Sequence, residues 1–248
     1  MQDSSQIVAR FLLIVWAWAG AGVAASPITP EDLWRLPRVG ELRVSPDGVH
    51  ACYTVQRWSL ETNRSTTQLW LLDTSNGDSR QIGEAESSGD LSPAWSPDGR
   101  RIAYVGKTKA KPASALYVTT IEDGQTREIV TPPLGVFFPQ WMPDGKSVIF
   151  ITRVIPEITP AVNAETWAQT EAELARRQSS KAQVRVTEGG FYRMGGAWLT
   201  ESLAHRLVRV SIAEGSLTDL TPRYPGLFSP RGPSPFSLSP DGKTLALV

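Results

Sequence analysis

Apolar and polar residues alternate along most of the chain in short runs, and the runs recur. Ala51 and Tyr53, Ile102 and Tyr104, Val148 and Phe150, and Leu245 and Leu247 form four equivalent pairs. Each pair shares one face of an extended segment, because successive side chains of a strand point to opposite sides. Each also follows, by five and seven residues, the proline of a Pro-Asp-Gly tripeptide: Pro46-Asp47-Gly48, Pro97-Asp98-Gly99, Pro143-Asp144-Gly145 and Pro240-Asp241-Gly242. Another apolar residue stands two positions before each proline, namely Val44, Trp95, Trp141 and Leu238. Asp-Gly between two such runs predicts a tight hairpin, since glycine accepts the positive φ that the turn needs.

A second hairpin is predicted in three of the units. Gln68–Leu72 leads through Asn76-Gly77 to Arg80-Gln81-Ile82, Leu116–Val118 through Asp123-Gly124 to Arg127–Val130, and Leu207–Val210 through Glu214-Gly215 to Leu217–Leu220. Successive prolines of the tripeptide lie 51, 46 and 97 residues apart. A period of this length marks stacked units, and four short antiparallel strands per unit are the blades of a β-propeller. The predicted fold is all-β: blades over about 41–82, 93–130 and 138–221, with the first strands of another at 236–248.

The long third interval requires an excursion over 153–206, inside the third blade. Glu165–Lys181 is made largely of good helix formers, with Trp167, Leu174 and Ala175 able to share a face. A degenerate complete blade is the alternative reading of this stretch. Closed propellers have about 4–8 blades, so three and a fraction predict a propeller cut short, with open edges that template association.

The N-terminus carries an apolar run, Phe11–Ala25, preceded by Arg10 and followed by Ser26-Pro27. It is short against the ~20 residues of a spanning helix. Val23 and Ala25 suit signal-peptidase cleavage after Ala25, which predicts a signal peptide over 1–25 and an exported, periplasmic or extracellular product. A retained anchor is the alternative; with cleavage, no stable membrane anchor is expected.

Composition narrows the chemistry. With 25 basic and 25 acidic residues the net charge is zero, which argues against a nucleic-acid partner. The 20 glycines and 19 prolines fit a chain rich in turns. One cysteine, Cys52, and two histidines, His50 and His205, leave little for metal or acid–base work, and Cys52 falls at the position of Ala103, Ile149 and Ala246 as a small core residue. No Gly-x-Ser-x-Gly, His-Glu-x-x-His, Gly-x-x-x-x-Gly-Lys or Gly-x-Gly-x-x-Gly occurs. The recurring Asp47, Asp98, Asp144 and Asp241, each with its glycine (Gly48, Gly99, Gly145, Gly242), are read as turn chemistry rather than a carboxylate cluster. Trp95 and Trp141 are read as core, His205 as structural, Glu171 and Glu173 as a solvated helix face, and Lys107, Lys109 and Lys111 as a solvated loop. No catalytic residue, metal ligand or cofactor is expected within the chain.

The leader Thr29-Pro30-Glu31-Asp32-Leu33-Trp34-Arg35-Leu36-Pro37-Arg38-Val39, running into Val44-Ser45-Pro46-Asp47-Gly48, resembles the start of the propeller in secreted prolyl oligopeptidase-family serine peptidases. It is most similar to their acylaminoacyl-peptidase and dipeptidyl-peptidase-like branch. Val186-Thr187-Glu188 to Tyr192, Trp198-Leu199-Thr200, His205 to Val210 and Thr218–Pro222 share that resemblance, which covers about residues 27–248. It implies a propeller that precedes an α/β-hydrolase domain carrying Ser, Asp and His, gates the active site and admits peptides and small acylated compounds. The chain itself holds none of the hydrolase. The alternative resemblance is to the periplasmic propeller of the Tol translocation system, a protein-binding module.

Overall fold

The computed structural model describes residues 27–87, 91–108, 111–180, 193–194, 197–198, 203–222, 224 and 235–247. The predicted signal peptide, Lys109 and much of the excursion lie outside them. Two compact units divide at Leu36/Pro37. In the first, α1 (Pro30–Arg35) is one short helix whose N-cap, Thr29, accepts the Asp32 amide, while the Asp32 carboxylate accepts the Thr29 amide. This reciprocal capping box satisfies two amides that a helix start leaves unpaired.

The second unit is a series of antiparallel sheets. Blade 1 comprises β1 (Arg38–Val44), β2 (His50–Ser59), β3 (Arg64–Asp73) and β4 (Ser79–Ser87). Blade 2 comprises β5 (Ala94–Trp95), β6 (Arg101–Thr108), β7 (Lys111–Thr120) and β8 (Thr126–Val130). Blade 3 begins with β9 (Phe137–Trp141) and β10 (Ser147–Val154). After α2 (Ala164–Ser179) and the two-residue strands β11 (Arg193–Met194) and β12 (Ala197–Trp198), it resumes with β13 (Ala204–Ser211) and β14 (Leu217–Asp219). A further hairpin joins β15 (Phe236–Leu238) to β16 (Leu245–Leu247). Each blade pairs in chain order, and Glu86↔Lys107 links blades 1 and 2 into one sheet.

Alternation builds the seams between blades. Cys52, Leu69, Leu71 and Ile82 of blade 1 pack with Ile102, Tyr104, Ala115 and Tyr117 of blade 2. The opposite face of blade 2, through Ala103, Val105, Leu116 and Val118, packs with Trp141, Val148, Phe150 and Val208 of blade 3. A third cluster, Ile149, Ile151, Leu207 and Phe236, joins blade 3 to the last hairpin. Glycine matters where the first two blades approach closely. A Cβ at Gly83, whose φ is +75°, would strike the Tyr104 hydroxyl arriving from blade 2.

The excursion leaves β10 and returns to β13 at a single cross-strand pair, Val154↔Ala204. Its helix is capped by Asn163, which accepts the Thr166 amide at 2.9 Å. The buried side of α2 differs from the expected face. Thr166 and Thr170 are buried, Trp167 is half-buried against the blade 2–3 core, and Ala175 is exposed. The physical reason is polar anchoring: Thr166 Oγ1 donates to Ala161 O at 2.7 Å, and the hydroxyls of Thr159 and Thr170 meet at 2.8 Å.

Candidate functional site

The recurring aspartates are held by their turns. Asp47 Oδ1 accepts the Ser45 hydroxyl at 2.6 Å and the Val49 amide at 3.0 Å. Asp98 takes the same bonds from Ser96 at 2.5 Å and Arg100 N at 3.1 Å, and Asp241 from Ser239 at 2.6 Å and Lys243 N at 3.1 Å. These bonds favour the charged form, so each of the three carboxyls lies below the ordinary aspartate value, the serine hydroxyl being the largest cause. In the third turn Met142 replaces the serine, and Asp144 keeps only the amide bond, from Lys146 N at 2.8 Å. Gly48, Gly99, Gly145 and Gly242 all have φ between +64° and +74°. Each aspartate is thus occupied within its own turn.

Polar ties also cross the seams. Trp95 Nε1 donates to Arg43 O of blade 1 at 2.9 Å, and Trp141 Nε1 to Ala94 O of blade 2 at 3.0 Å. In the other direction, Arg80 donates to Ile121 O and Arg127 to Ile212 O. Arg101 donates to Gly145 O at 2.7 Å while its guanidinium lies 4.7 Å from the centre of the Trp141 ring. Both tryptophans belong to the blade interfaces; Trp141 is buried, and Trp95 is half-buried.

The two ends of each blade differ in chemistry. At one end lie the Asp-Gly turn and the second hairpin turn, tied together by Thr74 N to Val49 O, Ile121 N to Arg100 O and Ile212 N to Lys146 O. At the other end the second and third strands of each blade meet, and there the excursion emerges. Near its base Arg206 and Asp219 are both buried, with Arg206 Nε 3.8 Å from Asp219 Oδ2. Arg206 donates to the Tyr224 carbonyl, and Asp219 Oδ1 accepts Thr221 N at 2.9 Å. Burial pushes the Asp219 carboxyl above its ordinary value, against the opposing pull of the Thr221 amide and Arg206. The signal that could have found Arg206 is its register: it shares the alternate positions of Ala204, Val208 and Val210, whose side chains enter the core, whereas Arg209 is exposed.

Three further candidates, Cys52, His205 and Glu173, are each held by their surroundings. Cys52 is fully buried, and burial pushes its thiol up to about 12. His205 is buried in β13, opposite Arg153. Glu173 binds Arg176 and Arg177 at 2.7 and 2.8 Å, which hold its carboxyl down at about 2. Among the described residues no group of His, Cys, Asp or Glu could hold a metal ion, and no helix is long and apolar enough to cross a membrane.

These features define an open set of β-propeller blades carrying an insertion, with its side chains committed to turns and seams. The fold class is that of β-propeller blades, and the similarities found among known proteins are to peptidases. The uncharacterized peptidase YuxL of Bacillus subtilis is 30% identical over 218 residues, 88% of this chain and 30% of that protein. Dipeptidyl-peptidase 5 of Porphyromonas endodontalis is 28% identical over 229 residues, 90% of this chain and 30% of that one. Among solved structures, an acylaminoacyl peptidase in complex with Z-Gly-Gly-Phe-chloromethyl ketone superposes with a TM-score of 0.56 at 10% identity, over 75% of this chain and 26% of that one. No family model matches. The chain is therefore related to the propeller region of these peptidases, as its leader and blades suggested, and spans about 30% of the length of the curated relatives it matches.

Proposed function

We propose that these blades are the substrate-gating part of an exported serine peptidase acting on peptides. The observation that carries this reading is the alignment of 88% of the chain with a protein named as a peptidase, blades and excursion together. In the complete enzyme a serine activated by histidine, itself oriented by aspartate, would attack the acyl carbon, and the blades would limit what reaches it. The seams support such a role. Indole and guanidinium groups bonded to neighbouring backbone carbonyls hold the blades in fixed mutual register, which a size-selective entrance requires.

The coding frame beyond Val248 supplies the test. Further blades followed by Gly-x-Ser-x-Gly, together with hydrolysis of peptide substrates by the full product, are the expected result. A stop codon at that point would overturn the peptidase reading and leave a protein-binding propeller. Export is part of the same proposal, and its expected signature is a secreted product whose N-terminal residue is Ser26.

A further inference from the structure

The β2–β3 hairpin of blade 1 reaches farther than its counterparts. It carries a shallow cleft of about 330 Å³ lined by Arg57, Trp58, Ser59, Thr62, Arg64 and Thr66. Cross-strand register explains the grouping. Arg57 faces Thr66 and Ser59 faces Arg64, so these four side chains share one face of the hairpin. Arg57 and Arg64 are diagonal neighbours on it, a relation that spans about 7–8 Å in antiparallel sheets. Two guanidinium groups at that spacing can close on one small anion.

The cations differ in how they are held. Arg57 lies 5.9 Å from the centre of the Trp70 ring and donates to Gln68 Oε1 at 3.2 Å, so it has partners of its own on this face. Arg64 forms no side-chain hydrogen bond or ion pair among the described residues, and Glu61, the carboxylate of the connecting turn, pairs with neither arginine. Ser59 Oγ accepts Thr62 N at 3.2 Å and keeps its own O–H to donate. Two positive charges without a carboxylate partner, beside hydroxyl donors, are an anion's complement.

We propose that this cleft binds a carboxylate, and that the ligand is the free C-terminal carboxylate of a short peptide. Arg57 and Arg64 take its two oxygens, with Ser59 as a further donor. Forked guanidinium groups match the oxygens of a carboxylate and of a phosphate alike. The anion chemistry stands on the two arginines; the choice of a peptide carboxylate rests on the peptidase reading.

Calorimetric titration of the full chain with acetyl-Ala-Ala, its C-terminal amide, acetate and inorganic phosphate tests the site. The peptide acid is expected to bind at least ten-fold more tightly than its amide and than either small ion. Arg57→Gln and Arg64→Gln are each expected to weaken it ten-fold or more with unchanged melting temperature, while Arg100→Gln, at the opposite end of the blades, leaves binding unaltered. Equal binding of acid and amide, or full binding by Arg64→Gln, overturns the site. Phosphate or acetate binding as well as the peptide acid overturns the peptide-carboxylate assignment. A missing downstream hydrolase would sink the peptidase reading while leaving these titrations intact, so the two failures are distinguishable.

Discussion

The seam between blades 2 and 3 and the seam between blade 3 and the last hairpin are built from equivalent positions with different chemistry. At the former, Trp141 donates backward to Ala94 O, Arg127 donates forward to Ile212 O, and Arg101 joins Gly145 O while stacking on Trp141. At the latter, the tryptophan position is Leu238 and the arginine position is Thr218, as the turn alignment Gly124/Gly215 shows. In their place stands an apolar cluster around Phe236, crossed by a polar tie from Gln140 Nε2 to Phe236 O at 3.3 Å. Apolar burial is common to both and supplies the attraction. The indole and guanidinium bonds of the blade 2–3 seam specify how far one blade slides over the next.

The largest expected effect tests close approach. Gly83→Ala adds a methyl group against Tyr104 at a residue with φ of +75°, and steric overpacking with backbone strain should cost about 2–4 kcal/mol. Chemical denaturation would show it as a lower midpoint; an unchanged midpoint would mean that Tyr104 does not set the blade 1–2 spacing.

A smaller loss is expected where a directional bond alone is removed. Trp141→Phe keeps most of the apolar area but deletes the bond to Ala94 O and weakens the Arg101 stack, a loss of about 1–2 kcal/mol. The same measurement on Leu238→Phe, where there is no such bond to lose, should give a much smaller change. Equal losses at the two positions would erase the distinction between the seams.

The reverse experiment is subtler. Thr218→Arg places a guanidinium at the position held by Arg80 and Arg127 in the earlier blades, and a gain of about 0.5–1 kcal/mol is expected if it reaches the next backbone carbonyl. Absence of any gain would locate the difference in backbone geometry rather than in side-chain supply.

The smallest effect is that of pH on the turns. Asp47, Asp98 and Asp241 have carboxyls lowered on folding, so their contribution is present above the ordinary aspartate value of 3.8 and is lost as pH falls through the native values. Asp219 has the opposite sign: its raised carboxyl contributes below that value, and the contribution is lost as pH rises through the native one. Melting temperature should therefore decline between about pH 4 and pH 2, and Asp98→Asn should flatten that decline. A decline as steep as that of the parent chain would remove Asp98 as a contributor.

The contrast between local and distant interactions also explains what the sequence made legible. Turn residues act on amides two positions away, and strand alternation is a property of neighbours, so blades could be read from Pro-Asp-Gly and its flanking apolar pairs. Trp95 and Trp141 were recognisable as interior positions, but their N–H bonds join residues 52 and 47 positions apart, which periodicity cannot report. The helical excursion was foreseen from composition. Its docking through Thr166 and Thr170, rather than through Ala175, was not, because threonine hydroxyls satisfied against a carbonyl and each other leave no hydrophobic signature. Arg57 and Arg64 escaped notice for a related reason: they belong to a hairpin extension that the repeat does not share.

The single pair Val154↔Ala204, through which the chain both leaves and re-enters blade 3, has an evolutionary consequence. An insertion whose two ends already meet imposes no displacement on the strands that carry it, and lengthening it adds only a slowly rising closure cost. Successive gene variants can therefore change the length of this insertion without displacing β10 or β13, provided that Val162 and Trp167, which pack into the blade 2–3 core, are kept. Such a site can diversify faster than the scaffold beneath it.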